Sequence, residues 1–509
     1  MVYAAVVVAV VVAALVGWLP RWPGLAHEVA LPPLDLLADV RVLMARASSV
    51  PLFVLGVVAA IVVRAALIAA VLGFTRRRFT LAVRFYVAAL IPALVASGLD
   101  FSGRAILYAY LIWGGLLVTL ATFVVLGATL WTGRDTLHGA FANAFRQRLR
   151  LGVLLPYLVA LAIVGVIWRR PGDVSQVLVV PFSGALTAIT ARRLCASPSR
   201  RTSFRTIAIA TMAALLACAA AIIFGVSHDS RRVVGPAPPR RNGSLLLIAG
   251  VDTSTGQGAL FRFVPQALGF SCAQTFYYSY RGPGHGGKQG EARCPIRSGA
   301  PYRKGDTTRP LHQLTSGLRT QLSTLPRPIV VVTHSQGAWI AWSEITTDDI
   351  SGVTTLVMLA PFNEGLAPYP PTGEHGTGAA GGAAVRIVTD IGRSLGINHF
   401  DPDAPLAREL QGTPNAVKRL VARPLPRAVR SLAILARADL PLEPRAWPHG
   451  LPETCPGWLT HAALPTSRSV GTTVERFLDG NPAPSCPAWI ADLGHTADAF
   501  GAPSPTASD

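Results

Sequence analysis

Hydrophobic positions follow two regimes along the 509 residues. Up to about residue 227 they form long Val/Ala/Leu/Ile runs, and after Arg241 they fall into short blocks separated by polar positions. Seven stretches, near 2–19, 51–73, 80–98, 105–131, 151–168, 174–190 and 206–226, approach the roughly 20 apolar residues that cross a bilayer. The first has no basic residue ahead of it and no small-residue cleavage site, so it is expected to stay as a span. The sixth is the weakest, being short and interrupted by Pro181, Ser183 and Thr187. In the second regime, β-rich runs at 244–250, 274–280, 328–333, 353–359 and 430–436 alternate with helical patterns at 256–268, 308–323, 336–346, 383–395, 405–424 and 466–478. That alternation predicts a mainly parallel sheet flanked by helices. The expected organisation is a multi-pass α-helical membrane domain over 1–227, a Pro/Arg-rich linker over 228–242, and an α/β domain over 243–509.

Composition agrees with a membrane part. The chain is 51% hydrophobic, with a mean hydropathy of +0.42, too apolar for an ordinary soluble protein. Its net charge of +19 resides almost wholly in arginines that are scattered or clustered beside the apolar runs. No basic stripe with interleaved aromatics is present, so nucleic acid is not an expected partner. The clusters at Arg76–Arg78, at Arg134 to Arg150 and at Arg192 to Arg205 fall on one side of a seven-span topology. Positive loops mark the cytoplasmic side, which places the amino terminus inside and everything after residue 227 outside. Arg64 lies within the second span, and no span supplies an acidic partner. A charge there is either a functional site or an arginine facing the bundle interior.

Four of the six cysteines, Cys272, Cys294, Cys455 and Cys486, lie in the second half. An even set in an exported domain points to disulfides. Three pairings are open, of which neighbour pairing closes the shortest loops. No cysteine or histidine spacing suits zinc, and no cofactor is implied. Asp401 and Asp403 are expected to cap a helix beginning near Pro405 rather than to hold a cation.

The chemistry concentrates in "IVVVTHSQGAW", Ile329 to Trp339. An all-apolar strand breaks into a sharp turn with Ser335 at its tip and then starts a helix. Such a turn forces the serine into a strained backbone conformation at a helix amino terminus, and it needs small residues two before and two after. Gly337 meets the second demand; Thr333 stands where the motif G-x-S-x-G has its first glycine. For a working enzyme, restoring glycine at 333 is expected to be neutral or helpful. The stretch resembles the G-H-S-Q-G elbow of lipase/esterase-like members of the α/β-hydrolase superfamily, and the resemblance covers roughly residues 243–480.

That resemblance implies a nucleophile, acid and base in chain order. Ser335 is then the nucleophile. Asp439, just past the run at 430–436, is the expected acid, with Glu364 in reserve. His461, shortly before the last helical pattern, is the expected base; His449 and His495 fit the order less well. It also implies an oxyanion hole from the amide of Gln336 and one from the loop "IAGVDTSTGQG", for which Val251 is the expected donor. The same loop lacks the lysine-bearing phosphate-cradle motif. Two insertions stand out: a Gly-rich loop after 274–280, and residues 365–428, where a cap over the site is expected. The expectation is a membrane-anchored serine hydrolase acting on an ester or lipid substrate, with membrane lipids as partners. The alternative is a transport or lipid-handling protein whose hydrolase-like domain only binds.

Overall fold

The computed structural model describes residues 2–167, 174–196, 241–347, 352–363, 367–442, 447–490, 500, 501 and 503. The seventh expected span, nearly all of the linker, Glu364 and His495 lie outside the described residues. The chain divides into two compact units, one of Met1–Ala219, Ala367–Val388 and Asp492–Asp509, the other of Ala220–Leu366 and Thr389–Ala491.

The first unit is helical: α1 (Val2–Leu15), α2 (Leu34–Arg46), α3 (Val50–Val71), α4 (Arg76–Ala105), α5 (Ala109–Leu126), α6 (Leu137–Arg146), α7 (Leu151–Ile167) and α8 (Val179–Cys195). Among the described residues five segments are long and apolar enough to cross a membrane: Val50–Val71, Arg76–Ala105, Ala109–Thr132, Arg148–Gly165 and Gln176–Cys195. The first expected span forms an apolar helix of only 14 residues.

One sequence expectation changes here. Residues 20–50 lie between the first two expected spans, which makes them a connecting loop by the sequence pattern, yet Trp22 to Ala38 are buried without interruption. They form a 3-10 turn at Pro23–Val29 and then α2. The reason is Arg64 of α3. Its guanidinium donates to Glu28 Oε2 at 2.7 Å and to Asp39 at 2.8 and 2.9 Å, so its acidic partners come from this segment and not from a span. Arg64 follows Val50 by fourteen positions, about 21 Å along α3, so the segment reaches deep beside that helix. Part of the expected cap also belongs to this unit: Gly376 N–H donates to Ser48 O at 3.0 Å and Ala379 N–H to Ala47 O at 3.2 Å.

The second unit is built on six strands: β1 (Ser244–Ile248), β2 (Thr275–Tyr277), β3 (Ile329–His334), β4 (Val353–Leu359), β5 (Arg430–Ile434) and β6 (Glu453–Thr454). They pair in the order β2-β1-β3-β4-β5-β6, parallel throughout. The helices are α9 (Leu311–Ser323), α10 (Gly337–Thr347), α12 (Pro405–Leu410), α13 (Ala416–Val421) and α14 (Arg468–Leu478), while α11 (Ala379–Ser394) begins among the first unit's residues. All of β1 and β3 is buried, as their unbroken apolar runs require of a central parallel strand. The helix expected over 256–268 is instead two 3-10 turns, Ala259–Arg262 and Pro265–Leu268, because Gly258 (φ +133°) and Pro265 interrupt it. The pattern at 405–424 is split between α12 and α13 at Gly412-Thr413-Pro414. The N-cap residue of α12 is Ala404, and the Asp401 carboxylate accepts the Asp403 N–H at 2.9 Å. The cysteines pair as neighbours, Cys272–Cys294 and Cys455–Cys486.

Candidate active site

After β1 the chain adds β2 on one side and β3 on the other. The carboxyl ends of β1 and β3 therefore flank the point where strand order reverses, where open parallel sheets place their ligand sites. Ser335 follows β3 directly, and its φ of +55° puts a non-glycine residue in the left-handed region. The serine survives there because both flanks are tied down. Its N–H donates to Leu359 O at the end of β4 at 2.9 Å, and α10 begins two residues later. Gly337 must be glycine, since a Cβ would lie 2.6 Å from Ile248 O and 2.9 Å from Ala249 O. Gly250 is similarly constrained, because a Cβ would meet Ser335 Cβ at 2.9 Å. Thr333 has no such conflict. It is fully buried and held in register between Ile248 and Met358.

The expected acid and base come together. Asp439 sits in a 3-10 turn, Arg437–Asp439, after β5 and is 2% exposed. His461 starts a turn between β6 and α14. His461 Nδ1 lies 2.6 Å from Asp439 Oδ2, a hydrogen bond that orients the imidazole and leaves Nε2 for other work. Phe362 stacks on the same ring, centroids 5.5 Å apart and planes 4° from parallel. Among the described residues no hydrogen bond joins Ser335 to His461. The connection runs through His334, the residue before the serine. Its Nε2–H donates to the carbonyl oxygen of His461 at 2.9 Å, with ring centroids 4.7 Å apart. Burial, and secondarily the neighbouring His461, push the His334 imidazole down to about 3. It is therefore neutral near pH 7, with its one proton on the nitrogen that faces the carbonyl. His449 is elsewhere, bonded through Nε2 to Ala422 O at 2.8 Å.

Neither the amide of Val251 nor that of Gln336 donates to another backbone group among the described residues. The Gln336 side chain reaches away, donating to Thr307 O at 2.6 Å, and Tyr280 donates to Ala249 O at 2.5 Å to hold the end of β1. Asp252, awkward beside a developing negative charge, turns outward at φ +59°. It accepts from the His399 amide at 3.2 Å and pairs with Lys304 at 3.4 Å. His334 was visible within the motif but carried no sign of its bond to His461. Phe362, Tyr280 and Thr307 carry no sequence signal, because their roles arise only when distant strands align.

No family model matches the chain, and no curated protein matches it. Among solved structures it is similar to the N-formylmaleamic acid deformylase of Pseudomonas putida S16, with 16% identity over 47% of this chain and 94% of that one, at a TM-score of 0.26. That likeness is too slight to carry an argument. The parallel sheet and the strand-turn-helix at Ser335 fit an α/β-hydrolase fold on their own.

Proposed function

We propose that the protein is a membrane-anchored serine hydrolase, cleaving a carboxylic ester at the extracytoplasmic face through an acyl-enzyme. The single observation that supports it most is the Asp439–His461 pair at 2.6 Å, at the same end of the sheet as a serine held at positive φ. Serine is a weak nucleophile near neutral pH and needs a base to accept its proton. In this reading His461 Nε2 takes the Ser335 proton as Oγ attacks the ester carbonyl. The same proton passes to the departing alcohol, and water then releases the acid by the reverse sequence. Asp439 holds the tautomer and stabilises the imidazolium. The developing oxyanion is met by the amides of Gln336 and Val251. Nucleophile–base hydrogen bonds are commonly loose before substrate binds, which accommodates the open Ser335–His461 link.

The anchoring part of the proposal draws on the five long apolar segments, and the side on the arginine clusters with two disulfides beyond the spans. The experiment is labelling by a serine-reactive fluorophosphonate on membranes carrying the wild type or Ser335→Ala. The transport reading draws on the buried Arg64–Glu28–Asp39 cluster. It predicts that His461→Ala leaves the cellular phenotype intact.

A further inference from the structure

Both insertions of the second unit contribute to one cavity of about 380 Å³ beside the loop after β1. Residues 304–310 of the Gly-rich insertion form one wall, residues 399–405 of the later insertion form another, and Val251 with Asp252 forms the floor. Val251 is the amide assigned above to the oxyanion, and Gly250 before it abuts Ser335. Thr307, whose carbonyl accepts the Gln336 side chain, also lines the cavity. The space therefore adjoins the Val251 amide and the residue that holds the Gln336 side chain, while Ser335 and His461 are not among its lining residues.

Its lining is not that of an acyl-chain pocket. Asp252 faces Lys304 at 3.4 Å, and Lys304 Nζ donates to His399 Nδ1 at 3.0 Å. Arg309 spends one N–H on Tyr280 O at 3.2 Å and contributes the second cation. Asp401 receives the Asp403 amide at 2.9 Å and contributes a second carboxylate. Asp403 adds a third carboxylate, paired at 3.6 Å with Arg408, so the space is lined by both signs of charge, which argues against a simple anion or cation as the ligand. Buried Asp252 Oδ1 accepts no hydrogen bond, although the Lys304 ammonium is near enough to pair with it. Phe400, Pro310 and Pro405 add apolar faces.

A ligand that both donates and accepts at several points, and that also has C–H faces, is a polyhydroxylated alcohol. We infer that this cavity holds the alcohol part of the substrate, making the protein an esterase for acylated polyols, of either sugar or glycerol type. The inference rests on the serine-hydrolase reading above. The bond broken joins the acyl carbon to a polyol oxygen, that oxygen leaves with the proton from His461, and the acyl group stays on Ser335 until water removes it.

The test uses the full chain in detergent and three butyrate esters sharing one acyl group: ethyl butyrate, glyceryl monobutyrate and a methyl 6-O-butyrylglucoside. The wild type should turn over at least one polyol ester with higher kcat/KM than ethyl butyrate, and whichever is preferred identifies the sugar or the glycerol source. Asp252→Asn, which tolerates the positive φ, and separately Lys304→Met should each lower the polyol-to-ethyl ratio about tenfold or more, the scale of one lost charged hydrogen bond. Melting temperatures report whether each variant folds. A wild type without polyol preference, or variants that fold and keep the ratio, would overturn the inference. If fluorophosphonate labels Ser335 while the preference is absent, only this subsite fails; if Ser335 is unlabelled, the hydrolase reading fails as well.

Discussion

His334 shows how one residue links the turn at Ser335 to His461. Its buried ring holds the His461 carbonyl and is pushed from the usual 6.5 down to about 3. Between those values the unfolded chain binds a proton at this position and the folded chain does not, so stability rises with pH across the window and falls as pH drops through it. A His334→Gln variant lacks this titration. Its melting temperature should fall less between pH 7 and pH 4.5 than that of the wild type, as scanning calorimetry at the two pH values would show. An equal fall in both would mean that the ring is hydrated and charged.

At the scale of elements, the β3–turn–α10 unit depends on what fits beside β1. Gly337→Ala would drive a methyl into the Ile248 and Ala249 carbonyls, and it should cost about 1–3 kcal/mol in a denaturant melt. Thr333→Gly should leave activity near wild type but lower stability by about 1–2 kcal/mol, since it empties a fully buried position and loosens a strand interior. A marked gain in activity without that loss would mean that Thr333 strains the turn. The strands were legible because central parallel strands carry unbroken apolar runs such as Val330-Val331-Val332, and the β4 bounds coincide with the expected 353–359. The strand-turn-helix around Ser335 was legible because its apolar run and turn residues are local, and the resemblance it carried led to the Asp439 and His461 that lie 2.6 Å apart. The two-residue β6 was not, because its pairing with β5 is a tertiary event with no hydrophobic period of its own. Nor was the fate of 256–268, where apolar spacing suited a helix while Gly258 and Pro265 decided otherwise. The segment before α3 misled for another reason. Its charges lie between two expected spans, and only Arg64, far along the chain, reveals that Glu28 and Asp39 pair with it inside the helical unit.

For the molecule as a whole, the helical unit contains an interior charge cluster that must stay intact. Arg64→Ala would leave Glu28 and Asp39 without their guanidinium, and it should destabilise the detergent-solubilised protein by about 3–5 kcal/mol. Arg64→Lys should recover only part of this, because an ammonium cannot reproduce the fork of bonds to Asp39 and Glu28. A thermal melt ranking wild type, lysine and alanine in that order checks both statements. The proposed orientation draws on span parity and the arginine clusters. After mild reduction of intact cells, a membrane-impermeant thiol reagent should label Cys272 and Cys455, whereas labelling only after lysis would put the second unit in the cytoplasm. The central claim is narrower than topology, and it lies at Ser335. A fluorophosphonate probe applied to membranes should label the wild-type chain covalently and leave Ser335→Ala unlabelled. A wild type that takes up no probe, or an alanine variant that still does, would contradict the account.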